Sequence, residues 1–266
     1  MAGKSSLPSA RFFVTIGGYK ESDEVKTGID ASKLVSMLLE LVTAVCMVTG
    51  ITLTAQMGGG FMGGGTAFLY FTVQSNLWIG AACALFFVLN AVALAKPSFF
   101  IPRVLHVIKF VFTVSITLTG IVFCGVLAPT LPGSFKSAAN VLTHVVVPVA
   151  AVIDLFFCRP QKIAYQEFAF ALIPPIYYLC FAGVGYALNW DFGGGNNYPY
   201  FFLNWDSPAG AFGFSSEMPY FMGCFYWIVV MIAFISLLSL GYIALIGALN
   251  QRAQKKAAKE PSSDGQ

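Results

Sequence analysis

Charge is what this sequence has least of. Only 10% of its 266 residues are Asp, Glu, Lys or Arg, while 57% are hydrophobic and the mean hydropathy is +0.75. A chain so poor in charge cannot clothe a globular surface in polar groups, which excludes the soluble globular class. Histidine is scarce too: His106 and His144 are the two. The six cysteines (Cys46, Cys83, Cys124, Cys158, Cys180, Cys224) fall one per apolar segment. Their spacing is neither that of a zinc site nor that of a disulfide framework, so each reads as a small packing residue. No metal, cofactor or nucleic-acid partner is expected. No cleavable signal peptide is visible, because the first apolar run begins near Leu34 and is too long for one. No Asn-x-Ser/Thr sequon occurs, so glycosylation offers no clue to the compartment.

What the chain has instead is long apolar runs, at about 34–55, 67–95, 102–127, 139–158, 165–188 and 220–249. At ~1.5 Å rise per residue, ~20 residues of helix cross ~30 Å of hydrocarbon, and every run is long enough. The expected architecture is all-α: a six-helix transmembrane bundle over 34–249, with polar tails at 1–33 and 250–266. Asp30 stands where it would cap the first helix. Between the first two runs, Met57 to Gly65 spells GxGxxG, but no strand precedes it and no acidic ribose partner follows. It reads as a tight connection and not as a nucleotide site. Pro174-Pro175 should kink the fifth helix. With both termini on one side, that side takes fourteen of the fifteen Lys and Arg and leaves only Lys136 for the other. The positive-inside rule then makes both termini cytoplasmic. Lys109, inside the third run, would have to snorkel back to that side.

Two polar clusters interrupt the apolar runs. Tyr70-Phe71-Thr72-Val73-Gln74-Ser75-Asn76-Leu77 opens the second, and Asn140-Val141-Leu142-Thr143-His144 opens the fourth. Both helices run inward from the non-cytoplasmic side, and five or six residues of entry put Thr72 and His144 at one depth, ~7–9 Å below the boundary. Thr72, Ser75 and Asn76 share a face through i, i+3, i+4 spacing, while Gln74 points elsewhere. Asn140 lies one turn above His144 on the same face. Such a cluster is either an interhelical hydrogen-bonded knot or a functional site.

The blocks 70–77, 142–149 with Asp154 after it, and 198–204 (Tyr-Pro-Tyr-Phe-Phe-Leu-Asn) resemble those of the multi-pass Pr-six-Pr membrane family, over about residues 35–250. That family is distantly similar to the androgen-induced-type membrane hydrolases, which cleave fatty acid esters of hydroxy fatty acids with an intramembrane Thr nucleophile and a His base. The resemblance implies that Thr72 is the nucleophile and His144 the base. The substrate would be an acyl lipid entering sideways from the bilayer. Ser75, Asn76 and Asn140 are then candidate donors to the oxyanion.

Asp154 is no triad acid on this reading, since ten residues along one helix set it ~15 Å from His144. It either faces the inner leaflet near Arg159 or pairs within the bundle. Glu40, about two turns into the first helix, either meets a partner there or snorkels to the boundary. The connection from Asn189 to Pro219 carries Trp190, Tyr198, Tyr200, Phe201, Phe202, Trp205 and Phe212. So aromatic a loop either lies along the membrane interface or folds down over the Thr72/His144 mouth. A lipid esterase, a small-solute transporter or channel with a polar path, and a non-catalytic scaffold are the three classes considered. The polar clustering at one depth favours the first. Nothing in the sequence separates plasma membrane from endomembrane.

Overall fold

The computed structural model describes residues 31–56, 63–157 and 162–257. Six helices in it are long and apolar enough to cross a membrane: Ala31–Gln56, Phe71–Ala95, Arg103–Thr130, Ala138–Phe156, Tyr165–Ala187 and Cys224–Lys256. The protein is an all-helical, multi-pass integral membrane protein. The expected cap Asp30, the run 57–62, and Cys158 and Arg159 lie outside the described residues, as do the tails 1–30 and 258–266. The other five cysteines are free thiols.

The third span is the axis of the bundle. In its most apolar window 61% of residues are buried, against 17% in the sixth span. It is rich in hydroxyls, yet it can sit at the centre because each one bonds back along its own helix. Thr113, Ser115, Thr117 and Thr119 donate to the carbonyls of Lys109, Val111, Thr113 and Ser115, four residues earlier. A hydroxyl satisfied in this way costs little to bury. The first, second and fourth spans close one side of this axis around Met47, Val73, Ile79, Cys83 and Val147. On the other side, the fifth and sixth spans pack around Phe110, Val114, Tyr178, Ile235 and Ile246.

The helices depart from ideal geometry at four places, three of them at the end that carries the long connection. The second span does not begin as an α-helix at 67. Gly64–Leu69 is a 3₁₀ turn, Tyr70 is extended (φ −95°, ψ 139°), and the α-helix starts at Phe71. Thr72 is therefore the second residue of that helix and not five or six residues in. The third and fourth spans each contain a π-helical turn, at Phe123–Leu127 and Leu142–Val146. Such turns are rare and recur at functional sites. The fifth span starts as a 3₁₀ helix, Tyr165–Leu172, and becomes α at Ile173. Pro174-Pro175, expected to kink this helix, stand in the first turn after the handover. Proline tolerates the first turn of an α-helix because its absent N–H would have no intrahelical partner there.

Lys109 does not snorkel. It is 8% exposed, and its Nζ lies 2.6 Å from Glu40 Oε1 and 2.5 Å from Asp154 Oδ2. Glu40 is wholly buried and also accepts from Asn90 Nδ2, at 3.1 Å to each oxygen. Asp154 Oδ1 accepts from Ser36 Oγ, and Lys109 sits over the Phe86 ring at 4.4 Å from its centroid. Both acids thus have partners inside the bundle. The stem of a lysine reaches the boundary only when no carboxylate competes, and here two do. The group ties the first four spans together at the end opposite the long connection.

Candidate functional site

The α-helix beginning at Phe71 and the π turn at Leu142–Val146 bring Thr72 and His144 together across 72 residues of chain. Thr72 Oγ1 and His144 Nε2 are 3.3 Å apart, and both side chains are buried, each residue 6% exposed. The partners of the other ring nitrogen assign the tautomer. Nδ1 lies 3.0 Å from the Asn140 carbonyl and 3.1 Å from Thr143 Oγ1. The carbonyl can only accept, and Thr143 already gives its proton to the Ala139 carbonyl at 2.8 Å. Nδ1 therefore carries the hydrogen and donates to these oxygens. Nε2 is left with a lone pair, aimed at the Thr72 hydroxyl.

Close backbone approach holds the imidazole in this pose. A Cβ placed on Gly120 would come 2.8 Å from the His144 carbonyl oxygen, and one on Gly50 would come 2.7 Å from Thr143 Cγ2. Glycines on the first and third spans thus admit the fourth between them at the level of the histidine. Phe123, the first residue of the opposing π turn, stacks on the imidazole with centroids 3.7 Å apart and planes 16° off parallel. Ring against ring leaves the imidazole no room to tilt.

The other residues singled out by sequence stand next to the pair, with their donors turned to backbone carbonyls. Ser75 Oγ reaches the Thr72 carbonyl at 3.2 Å and Thr119 Oγ1 at 2.8 Å. Asn76 Nδ2 bonds the carbonyls of Thr72 and Thr143 at 2.7 and 3.0 Å, lashing the second span to the fourth. Asn140 Nδ2 reaches the Ser134 carbonyl at 2.9 Å. Gln74 does point away, to the Phe68 carbonyl at 3.0 Å. Thr72 and His144 are brought into contact. Ser75, Asn76 and Asn140 hold the backbone that carries them.

The long connection folds down over the pair. Tyr70 Oη donates to the Phe192 carbonyl at 2.6 Å. Tyr200 reaches in further: the backbone N–H of Thr72 donates to its hydroxyl at 3.3 Å, and that hydroxyl lies 3.5 Å from Thr72 Oγ1. The Tyr200 ring stacks on Phe202 (5.0 Å, 7°) and meets Tyr70 edge-on (5.6 Å, 81°). Sequence reasoning placed Tyr200 in the right loop without assigning it to the site. It also missed Phe123 and Thr143. The signal available was the place of Tyr200 inside the block 198–204, but a contact spanning 128 residues has no local signature.

Thr72 and Tyr200 border a cavity enclosing about 690 Å³ of space between atoms, its open mouth included. The remaining wall is apolar, built from Leu118 and Val122, Pro175 and Leu179, and Ile228 and Met231 of the third, fifth and sixth spans. No protein-family model, curated protein or solved structure matches the chain.

Proposed function

We propose that this protein is an intramembrane carboxylic ester hydrolase acting on fatty acyl esters, with Thr72 as nucleophile and His144 as general base. The observation that carries the reading is the 3.3 Å approach of Thr72 Oγ1 to the unprotonated nitrogen of a histidine whose tautomer is fixed by the Asn140 carbonyl. The apolar cavity that Thr72 borders is the second support, since it suits a hydrocarbon chain. The likeness of blocks 70–77 and 142–149 to the Pr-six-Pr family, itself distantly similar to the androgen-induced-type hydrolases, agrees with both.

A threonine hydroxyl is a weak nucleophile until a base takes its proton. In the first half-reaction Thr72 Oγ bonds to the acyl carbon while its proton passes to His144 Nε2. The tetrahedral adduct then collapses, the bond to the alcohol oxygen breaks, and that oxygen recovers the proton from Nε2. Water repeats the sequence on the acyl-threonine, with His144 again as base, releasing the acid and free Thr72. Where a carboxylate would face Nδ1 in a triad, this site has the Asn140 carbonyl and the Thr143 hydroxyl. Two neutral acceptors orient the ring and stabilise imidazolium less than a carboxylate does.

The basic residues, without Lys109, still divide thirteen to one, so the same reading sets both termini in the cytoplasm and the site near the opposite face. The test is hydrolysis of a panel of acyl esters by purified protein in nanodiscs, with covalent capture by serine/threonine-directed probes. Turnover or capture that vanishes in Thr72→Ala supports the assignment. Neither turnover nor capture in the wild type overturns it.

A further inference from the structure

The proton ledger around Thr72 leads to a role for the tyrosine above it. Nδ1 of His144 is a donor, so Nε2 accepts, and the Thr72 hydroxyl spends its one proton on Nε2. Between Thr72 Oγ1 and the Tyr200 hydroxyl at 3.5 Å, only Tyr200 then has a hydrogen to give. Its oxygen meanwhile accepts the Thr72 N–H at 3.3 Å. That N–H belongs to the first turn of the second span's α-helix, where amides lack intrahelical partners and the helix dipole is positive. The phenol hydroxyl and this helix-start amide thus stand together beside Thr72 Oγ1.

We propose that Tyr200 is the oxyanion donor of the site: its O–H and the Thr72 N–H together bind the acyl carbonyl oxygen as negative charge develops on it. This rests on the Thr72–His144 reading of the preceding section. The geometry agrees. In a tetrahedral adduct on Thr72 Oγ the oxyanion stands one carbon away from that oxygen, so a donor 3.5 Å from Oγ needs only a small rotation of its O–H to meet it. Both groups sit on the cavity wall with Thr72, so an acyl chain lying along Leu118, Leu179 and Met231 delivers its carbonyl between them. Burial raises the Tyr200 hydroxyl above the ordinary phenol range, which keeps it protonated and a donor at neutral pH. Ser75 and Asn76 have no free donor to compete for the role, and Asn140 turns its amide to the Ser134 carbonyl. During the reaction Tyr200 lends a hydrogen bond and keeps its proton, so the balance of the two half-reactions is unchanged.

Tyr200→Phe tests this, because phenylalanine keeps the stack on Phe202 and removes only the hydroxyl. Full-length protein in nanodiscs is assayed on an acyl ester and titrated with two ketones bearing a palmityl chain. One is a trifluoromethyl ketone, which the nucleophile captures as an oxyanionic hemiketal, and the other is the plain methyl ketone. In Tyr200→Phe, kcat should fall on the order of 10²–10³-fold with KM little changed. The trifluoromethyl ketone should weaken by a similar factor while the methyl ketone binds as before. A merely structural hydroxyl would weaken both ketones alike. Wild-type kcat and wild-type trifluoromethyl ketone affinity in the variant overturn the inference and leave the Thr72–His144 reading standing. Absence of turnover and capture in the wild type sinks both together. Should Tyr200→Phe fail to fold, 3-fluorotyrosine at the same position decides. The alkaline limb of kcat then moves down with the more acidic phenol, and an unmoved limb refutes the proposal.

Discussion

The two ends of the bundle bury polar groups in opposite ways. At one end Thr72, His144, Tyr200, Ser75 and Asn76 form a neutral set that borders a cavity. At the other, Glu40, Lys109 and Asp154 form a charged set sealed by its own partners, with Ser36 and Asn90 filling the remaining valences. A neutral hydroxyl and imidazole can wait unreacted beside an apolar cavity because neither needs a counter-ion. A charge cannot, because taking it out of water costs several kcal/mol unless a partner offsets it. So the charged end holds the spans in register, and the neutral end is left free to meet a ligand. The charged cluster ties the first four spans together, the neutral one the second, third and fourth, and the neutral one borders the cavity.

The largest effect that would separate the ends is on turnover. Thr72→Ala and His144→Ala should each lower ester hydrolysis on the order of 10⁴-fold or more, and the double variant should be hardly worse, because a nucleophile and its base act as a unit. Neither should cost much stability, since both side chains leave neutral partners behind. Steady-state rates together with the monodisperse fraction in detergent check both halves. Variants that lose folded protein in step with activity would make the neutral end a structural knot like its counterpart.

The charged end should answer in the reverse way. Lys109→Met leaves two carboxylates buried without a cation, a loss of about 3–5 kcal/mol by the usual cost of breaking a buried ion pair. Denaturation in detergent should show it as a large fall in midpoint. If the surviving folded fraction turns over esters at the wild-type rate per molecule, the two ends are independent. A proportionally greater loss of rate would mean that Lys109 also sets the pose of His144.

A gentler perturbation lies where the helices meet. Gly120→Ala brings a methyl to 2.8 Å from the His144 carbonyl oxygen and 3.2 Å from Pro148 Cγ, so the third and fourth spans must part slightly. Overpacking of this kind costs about 1–3 kcal/mol. A displacement of ~1 Å at the imidazole would lower kcat by up to ~10²-fold. A variant with unchanged kcat and unchanged stability would show that this approach does not position the histidine.

The contrast also explains what was legible in the sequence. Six runs of about 20 or more apolar residues and one-sided Lys/Arg counts needed only composition and order. The meeting of Thr72 with His144 needed only helical direction and depth, because both stand at the head of spans running the same way. Lys109 was misread because position along a helix says how far the boundary is and not whether two acids on neighbouring spans are nearer. The π turns and the extended Tyr70 were invisible for a related reason. The fourth span's π turn lies where Gly50 and Gly120 let neighbouring helices approach closely, which propensity does not encode. Tyr200 could be placed in an aromatic loop, but its hydroxyl finds Thr72 only after that loop folds down.

The smallest expected effect is at Asp154, and it sharpens the comparison most. Glu40 and Asp154 set two carboxyl groups against one Lys109, so the charged end holds one acid more than it has cations. Asp154→Asn removes that excess. The amide oxygen still accepts from Lys109, and Lys109 keeps its contact with Glu40 at 2.6 Å. Two opposing changes nearly cancel: a charge-assisted bond becomes an ordinary one, and a poorly compensated charge leaves a low-dielectric site. The net shift should be within about 1 kcal/mol, far below that of Lys109→Met. Turnover should hold within about twofold, since ~15 Å of helix separates Asp154 from His144. Thermal denaturation of both variants side by side reads the asymmetry. Equal losses would mean that the two acids and the lysine act as an indivisible triad, and loss of hydrolysis in Asp154→Asn alone would move the reacting centre to the charged end.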